Sequence, residues 1–197
     1  MRNKPHKNQM REFKNGKLPA GIADKNVEFF AKDEKVFAII DTKITPPNEW
    51  PDWLHEGILR DMEKHPDAVE ALVEAGFVTD SEMITQYIKC RYSALDNTPD
   101  MIGGKLQETE YIDCELRGSC PFEGRICSLL KANYGTLTPR EIEVLKLIPE
   151  GLLDKEIADR MGISVLTVGV FMKNIREKTG YKNKAELVRF AFEKNLI

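Results

Sequence analysis

Long hydrophobic runs are missing from these 197 residues: the longest purely apolar stretch is Val36-Phe37-Ala38-Ile39-Ile40. A membrane-spanning helix needs about 20 such residues, so the sequence predicts none. The basic start, Met1-Arg2-Asn3-Lys4-Pro5, is not followed by the apolar segment of a secretion signal, which points to a cytoplasmic protein. No internal repeat is visible. Histidines are scarce: His6 stands alone, and His55 and His65 are separated by ten residues and do not resemble a metal pair. No acidic group is paired with a candidate nucleophile, so an enzyme has no support from the residues. A large charge of one sign is also absent, with 29 Lys and Arg against 32 Asp and Glu. What is present, 42% hydrophobic and 31% charged residues, suffices for a core and excludes a wholly disordered chain.

The net charge of -3 averages three unlike segments. Residues 1–20 carry six Lys and Arg and one acid, residues 21–133 carry 12 against 22, and residues 134–197 carry 11 against nine. A basic arm, an acidic middle and a mildly basic end predict separate modules, with a polyanion partner at one end.

Residues 1–20, rich in Lys, Asn and Arg, predict a flexible arm. Two β-like runs follow at 26–30 and 35–40, and Lys32-Asp33-Glu34 suits a small hairpin, although it lacks the Gly or Asn of the tightest turns. Thr45-Pro46-Pro47-Asn48 ends regular structure there. From residue 51 to 92 the pattern becomes helical. Trp53, Leu54, Ile58, Leu59 and Met62 recur at three- and four-residue intervals. Pro66 suits the first turn of a second helix carrying Val69, Leu72 and Val73 up to Gly76. Thr79-Asp80-Ser81-Glu82 matches a capping box ahead of a third helix with Met83, Ile84, Tyr87 and Ile88 inward. Trp50 and Trp53 are expected as core anchors. Residues 93–133, with Gly103-Gly104, Gly118, Pro121 and Gly124, predict loops.

All four cysteines, Cys90, Cys114, Cys120 and Cys127, fall in one window of 38 residues. Four thiolates around one ion would crosslink a stretch with little core of its own, and Zn²⁺ accepts a tetrahedral Cys₄ set. A structural zinc site is therefore expected, with a four-cysteine iron–sulfur cluster as the other metal reading. The spacing lacks C-x2-C knuckles, so thiols packed as small hydrophobes also fit. Disulfides are disfavoured in a cytoplasmic setting.

The C-terminal third carries the clearest pattern. Thr138-Pro139-Arg140-Glu141 combines a capping threonine, a proline at the first helical position and a glutamate three residues after the cap. Ile142, Val144, Leu145, Leu147 and Ile148 give that helix an apolar face, which Pro149 ends. A short second helix holds Ile157, Ala158 and Met161 and closes at Gly162 in a left-handed conformation. Ser164 caps a third, with Val168, Phe171, Met172 and Ile175 inward as far as Gly180. Asn183-Lys184-Ala185-Glu186 opens a fourth with Leu187, Val188, Phe190 and Ala191 inside. Two helices about a tight Gly162-Ile163 turn are the layout of a helix-turn-helix, whose second helix enters the DNA major groove. By spacing, Leu166, Thr167, Gly169, Val170, Lys173, Asn174 and Glu177 fall on its outer face. Lys173, Arg176, Lys178, Lys182, Lys184 and Arg189 supply charge to grip phosphates.

Leu137-Thr138-Pro139-Arg140-Glu141-Ile142-Glu143-Val144-Leu145, then Gly151 and Asp154-Lys155-Glu156-Ile157-Ala158, then Ser164, Thr167-Val168, Lys173-Asn174-Ile175, Lys178 and Gly180 resemble the LuxR/GerE-type DNA-binding domain. That module is a four-helix bundle at the C-terminus of many bacterial transcription regulators, and the likeness covers residues 136–195. It implies DNA binding as a dimer with the fourth helix at the dimer contact. It further implies that Thr167, Val170 and Lys173 face DNA, that Lys155 lies near the phosphate backbone, that Ser164 caps the recognition helix, and that Val168 and Ile175 face the core. Gly169 stands where a basic residue is common, Phe171 where histidine is usual, and Thr179 where leucine is usual. Leu153 replaces the polar cap of the second helix, so Asp154 is expected to cap it one residue later. The family often carries a phosphate receiver in front, but residues 1–133 show no βα alternation.

The expected fold is mainly α. It comprises a small α+β N-terminal domain at 21–92 (a short hairpin plus three helices), a cysteine-rich connector at 93–133 and a four-helix helix-turn-helix bundle at 134–197. The expected function is sequence-specific transcription regulation without enzyme activity. Double-stranded DNA would be bound through Lys155, Ser164, Leu166, Thr167, Val170, Lys173, Asn174 and Lys178. A homodimer through the C-terminal helix and a protein partner for the N-terminal region are expected. The alternatives are an iron–sulfur redox sensor and a protein-interaction adaptor with a degenerate DNA-binding domain.

Overall fold

Lys32 and Lys35 pair across a two-residue turn, Asp33-Glu34, whose φ angles are 47° and 66°. Positive φ at both turn residues matches the twist of the flanking strands and costs a residue with a Cβ about 1–2 kcal/mol. The expected hairpin, β1 (Glu28–Lys32) and β2 (Lys35–Ile40), forms on this turn. Asp41-Thr42 repeats the device with φ of 47° and 69° and adds a third strand, β3 (Lys43–Thr45), which the sequence pattern did not announce. The sheet is antiparallel in the order β1-β2-β3.

The computed structural model describes residues 18–22, 24–194 and 196–197, so the basic arm expected at 1–20 lies almost entirely outside the described residues. The chain divides into two compact units. The first extends to Ile112 and includes Gly124–Ser128; the second comprises Asp113–Glu123 and Leu129–Ile197. The stretch expected as a connector is thus shared out between the units.

In the first unit the three helices are α1 (Asp52–Met62), α2 (Pro66–Glu74) and α3 (Asp80–Arg91). Leu54, Ile58 and Met62 of α1, Leu72 of α2, and Ile84, Tyr87 and Ile88 of α3 are buried, as are Phe29, Val36 and Ala38 of the sheet. The inner stripe of α1 is narrower than expected: Trp53 and Leu59 are exposed, as is Val73 on α2. Trp50 is the tryptophan that anchors the core. Its indole N–H donates to the Thr45 carbonyl at 3.1 Å, and its ring meets Phe29 edge-on at 5.3 Å. Thr79 and Glu82 form the capping box of α3, each side chain accepting the other residue's amide.

Not all of 93–133 is loop. β4 (Met101–Ile102) and β5 (Lys105–Leu106) make a hairpin so close to α1 that a Cβ on Gly57 would lie 2.7 Å from the Gly104 carbonyl oxygen. Nearby, two carboxyl groups are buried. Asp100 accepts the Phe29 amide at 2.7 Å, and Glu28 Oε1 accepts the Asp96 amide at 2.8 Å. Desolvation, reinforced by Asp96 and Glu110, pushes Glu28 up to about 10 and Asp100 well above the ordinary carboxyl range.

The second unit holds a hairpin, β6 (Lys131–Ala132) with β7 (Gly135–Thr136), and four helices, α4 (Pro139–Leu147), α5 (Asp154–Met161), α6 (Val165–Thr179) and α7 (Lys184–Glu193). Ile142, Val144, Leu145, Ile157, Val168, Met172, Ile175, Leu187 and Phe190 form its core. Pro149 does end α4, which passes into a 3₁₀ turn at Ile148–Glu150. Thr138 with Glu141, and Asn183 with Glu186, close the capping boxes that open α4 and α7.

Candidate nucleic-acid interface

The α5–turn–α6 geometry starts with Gly162. Its φ of 66° is left-handed, open to glycine at little cost, and it lets the Ile163 amide return to the Ala158 carbonyl at 3.0 Å. Ser164 Oγ then accepts the Thr167 amide at 3.0 Å, satisfying one of the free donors at the start of α6. Leu153, not Asp154, is the cap position of α5. Asp154 is the first helical residue, and the Glu156 carboxylate accepts the Leu153 amide at 2.7 Å in place of a polar cap.

Val168, Met172 and Ile175 turn α6 inward, and Phe171 is half-buried. On the opposite side Leu166 and Val170 are exposed, Lys173 stands in solvent 3.8 Å from Glu177, and Thr167 and Asn174 are half-buried. A Cβ at Gly169 would meet nothing within 4 Å, which places that position on the same open face. Lys155, in the first turn of α5, is exposed. All eight residues expected to meet DNA are therefore on α5, α6 or the cap between them, and none is buried, but one of them is held by a buried acid.

Lys178 is the exception. Its ammonium lies 2.7 Å from the carboxylate of Glu141, a side chain 2% exposed. Burial raises the Glu141 carboxyl, but the Lys178 charge and the Thr138 amide outweigh it and hold its pKa below the ordinary value. Lys178 thus neutralises a buried acid and is not a free cation on the outer face. Lys184 is likewise engaged, 2.9 Å from Asp154 and 3.2 Å from the Leu152 carbonyl, and Arg189 lies 3.3 Å from Glu193. The basic stripe read from spacing is accordingly weaker than its count of cations implied.

Sequence reasoning missed how α6 is held at its far end. The β6–β7 turn supplies two donors to the last carbonyls of the helix: the Tyr134 amide to Lys178 at 2.8 Å and the Asn133 side-chain amide to Thr179 at 2.9 Å. The Asn133-Tyr134-Gly135 sequence was the available signal for that turn. Thr179, standing where leucine is usual, is fully buried because its hydroxyl donates to the Ile175 carbonyl at 2.7 Å.

The cysteines do not assemble within either unit. Cys90 and Cys127 belong to the first and Cys114 and Cys120 to the second. Cys127 is buried, Cys114 is exposed, and Cys90 Sγ accepts the Gln86 side-chain amide at 3.1 Å. Among the described residues no group of three or more His, Cys, Asp or Glu could hold a metal ion. The zinc expectation therefore finds no ligand set in the geometry. No helix among the described residues is long and apolar enough to cross a membrane.

Comparison with known proteins agrees with the helix-turn-helix geometry. Residues 135–191 match the family described as bacterial regulatory proteins, luxR family. A probable transcriptional regulator, ycf29, of Cyanophora paradoxa is 47% identical over 68 residues, which are 34% of this chain and 31% of that protein. The oxygen regulatory protein NreC of Staphylococcus aureus is 44% identical over 64 residues, 32% of this chain and 30% of its own length. The chain thus spans less than a third of the length of these curated relatives. No solved structure matches it. The capped helix pair, the outward α6 face and the family match converge on one region: residues 135–191 are a helix-turn-helix domain of the bacterial LuxR regulatory family.

Proposed function

We propose that this chain is a transcription regulator that binds double-stranded DNA by placing α6 in the major groove. The observation that carries the proposal is the exposed outer face of α6, held by the Ser164 cap and the Gly162 turn in a domain of this family. Leu166, Thr167, Val170 and Asn174 face the base edges, while Lys155, Lys173 and the amides at the Ser164 cap lie along the phosphates. Phe192, near the end of α7, is exposed, which suits pairing of two copies through that helix. A dimer requires two half-sites about one helical turn apart. The acidic first unit would receive a protein partner or signal, the protein would work in the cytoplasm, and no step requires enzyme chemistry.

The test is selection of random duplexes by the full chain at low salt. Enrichment of a two-part site supports the proposal; failure to enrich any sequence would favour the protein-adaptor alternative. On the selected site, Lys173→Ala is expected to weaken binding about fivefold and to lower the salt slope by about one. An unchanged titration at fixed salt would remove Lys173 from the interface.

The four-cysteine site stands as a separate proposal, supported by composition and not by geometry. Mass-spectrometric metal analysis of anaerobically purified protein tests it. One zinc per chain would uphold it, visible absorbance with acid-labile sulfide would point to the iron–sulfur cluster, and metal-free protein would reject both.

A further inference from the structure

Leu166 is 84% exposed and Val170 is 56% exposed; four residues apart, they lie on one face of α6 a single turn from each other. Val165 beside them is 48% exposed. Aliphatic side chains set in water at the front of a helix gain nothing for the folded domain. The groups that usually read bases are meanwhile scarce in these first two turns. The Thr167 hydroxyl lies 2.8 Å from Ser164 Oγ, within the cap, and Gly169 has no side chain where space is open. Guanine is read chiefly by Arg or Lys and adenine by Asn or Gln, and here Lys173 and Asn174 enter only at the third turn. In the major groove the one aliphatic group on any base edge is the C5-methyl of thymine.

We infer that Leu166 and Val170 form an apolar head that reads thymine methyl groups, so that each half-site carries thymines opposite the first two turns of α6. This inference rests on the DNA-binding proposal and specifies the sequence class it recognises. Lys155 and Lys173 supply attraction to phosphate on either side, and the aliphatic pair supplies the discrimination. Exchange of thymine for deoxyuridine removes the methyl group and leaves the base pair intact.

The experiment uses the full chain and its selected duplex, with each thymine replaced in turn by deoxyuridine. At one or two positions per half-site the exchange is expected to weaken binding roughly threefold to tenfold, the effect of losing one buried methyl contact. Leu166→Ala or Val170→Ala, exposed changes that leave the core intact, should then bind the thymine and deoxyuridine duplexes equally at the matching position. Equal affinity of the wild-type chain for both duplexes at every position would overturn the inference while leaving DNA binding standing. So would a methyl dependence untouched by both substitutions. Failure of the full chain to bind any duplex would overturn the DNA-binding proposal as well.

Discussion

Replacing Lys178 with methionine is expected to destabilise the second unit by about 3 kcal/mol at neutral pH. Methionine keeps much of the aliphatic stem but removes the charge that faces Glu141 at 2.7 Å. The Glu141 side chain is 2% exposed and so loses its counterion without gaining water. Glu141→Gln is expected to cost less, because Lys178 is 28% exposed and its ammonium can turn to solvent. The pH dependence has a definite sign. The Glu141 pKa is depressed in the folded unit, so the contribution of the pair is complete above the ordinary carboxyl value of about 4.3 and is lost as pH falls through the depressed one. Hydrogen exchange of α4 and α6 amides in the full chain reads the effect. Protection in Lys178→Met should fall about a hundredfold at pH 7, and the gap to wild type should close in acid. Unchanged protection would show that the pair is dispensable and would return Lys178 to the candidates for DNA contact.

Glu28→Gln should flatten the pH dependence of the first unit. Burial, with the charges of Asp96 and Glu110 near, pushes Glu28 up to about 10, so the folded unit holds a proton that the unfolded chain releases near pH 4.3. A raised carboxyl pKa contributes stability below the unfolded value, and that stability is lost as pH rises towards the folded one. The loss amounts to about 1.4 kcal/mol per pH unit for one proton. Glutamine imitates the protonated acid: its oxygen can accept the Asp96 amide as Glu28 Oε1 does, and its amide supplies a donor. Both tryptophans of the chain, Trp50 and Trp53, lie in the first unit, so urea unfolding followed by tryptophan fluorescence reports on it alone. Between pH 6 and 8 the wild type should lose about 3 kcal/mol more than the variant. Parallel profiles would mean that Glu28 is ionised at neutral pH.

What was legible in the sequence was local. The capping boxes at Thr79, Thr138 and Asn183 formed as read, because each needs only residues three apart along one turn. The helix-turn-helix was legible for the same reason, through Gly162 and Ser164. Strand β3 was hidden because its turn, Asp41-Thr42, takes positive φ without glycine or asparagine. The β4–β5 and β6–β7 hairpins were hidden because strands of two residues show no alternation. Charge was the least legible property. Lys178 counts as a DNA-facing cation by its place in a basic stretch, yet its partner Glu141 is 37 residues away. Lys184 is withdrawn in the same way by Asp154.

Titration of the full chain against its selected duplex and a scrambled duplex of equal length, across a range of salt, asks whether the outer face of α6 reads a DNA sequence. A preference of at least about a thousandfold for the selected duplex is expected, with binding to both weakened steeply by salt, if α6 reads sequence. Equal affinity for the two duplexes at every salt concentration would contradict it.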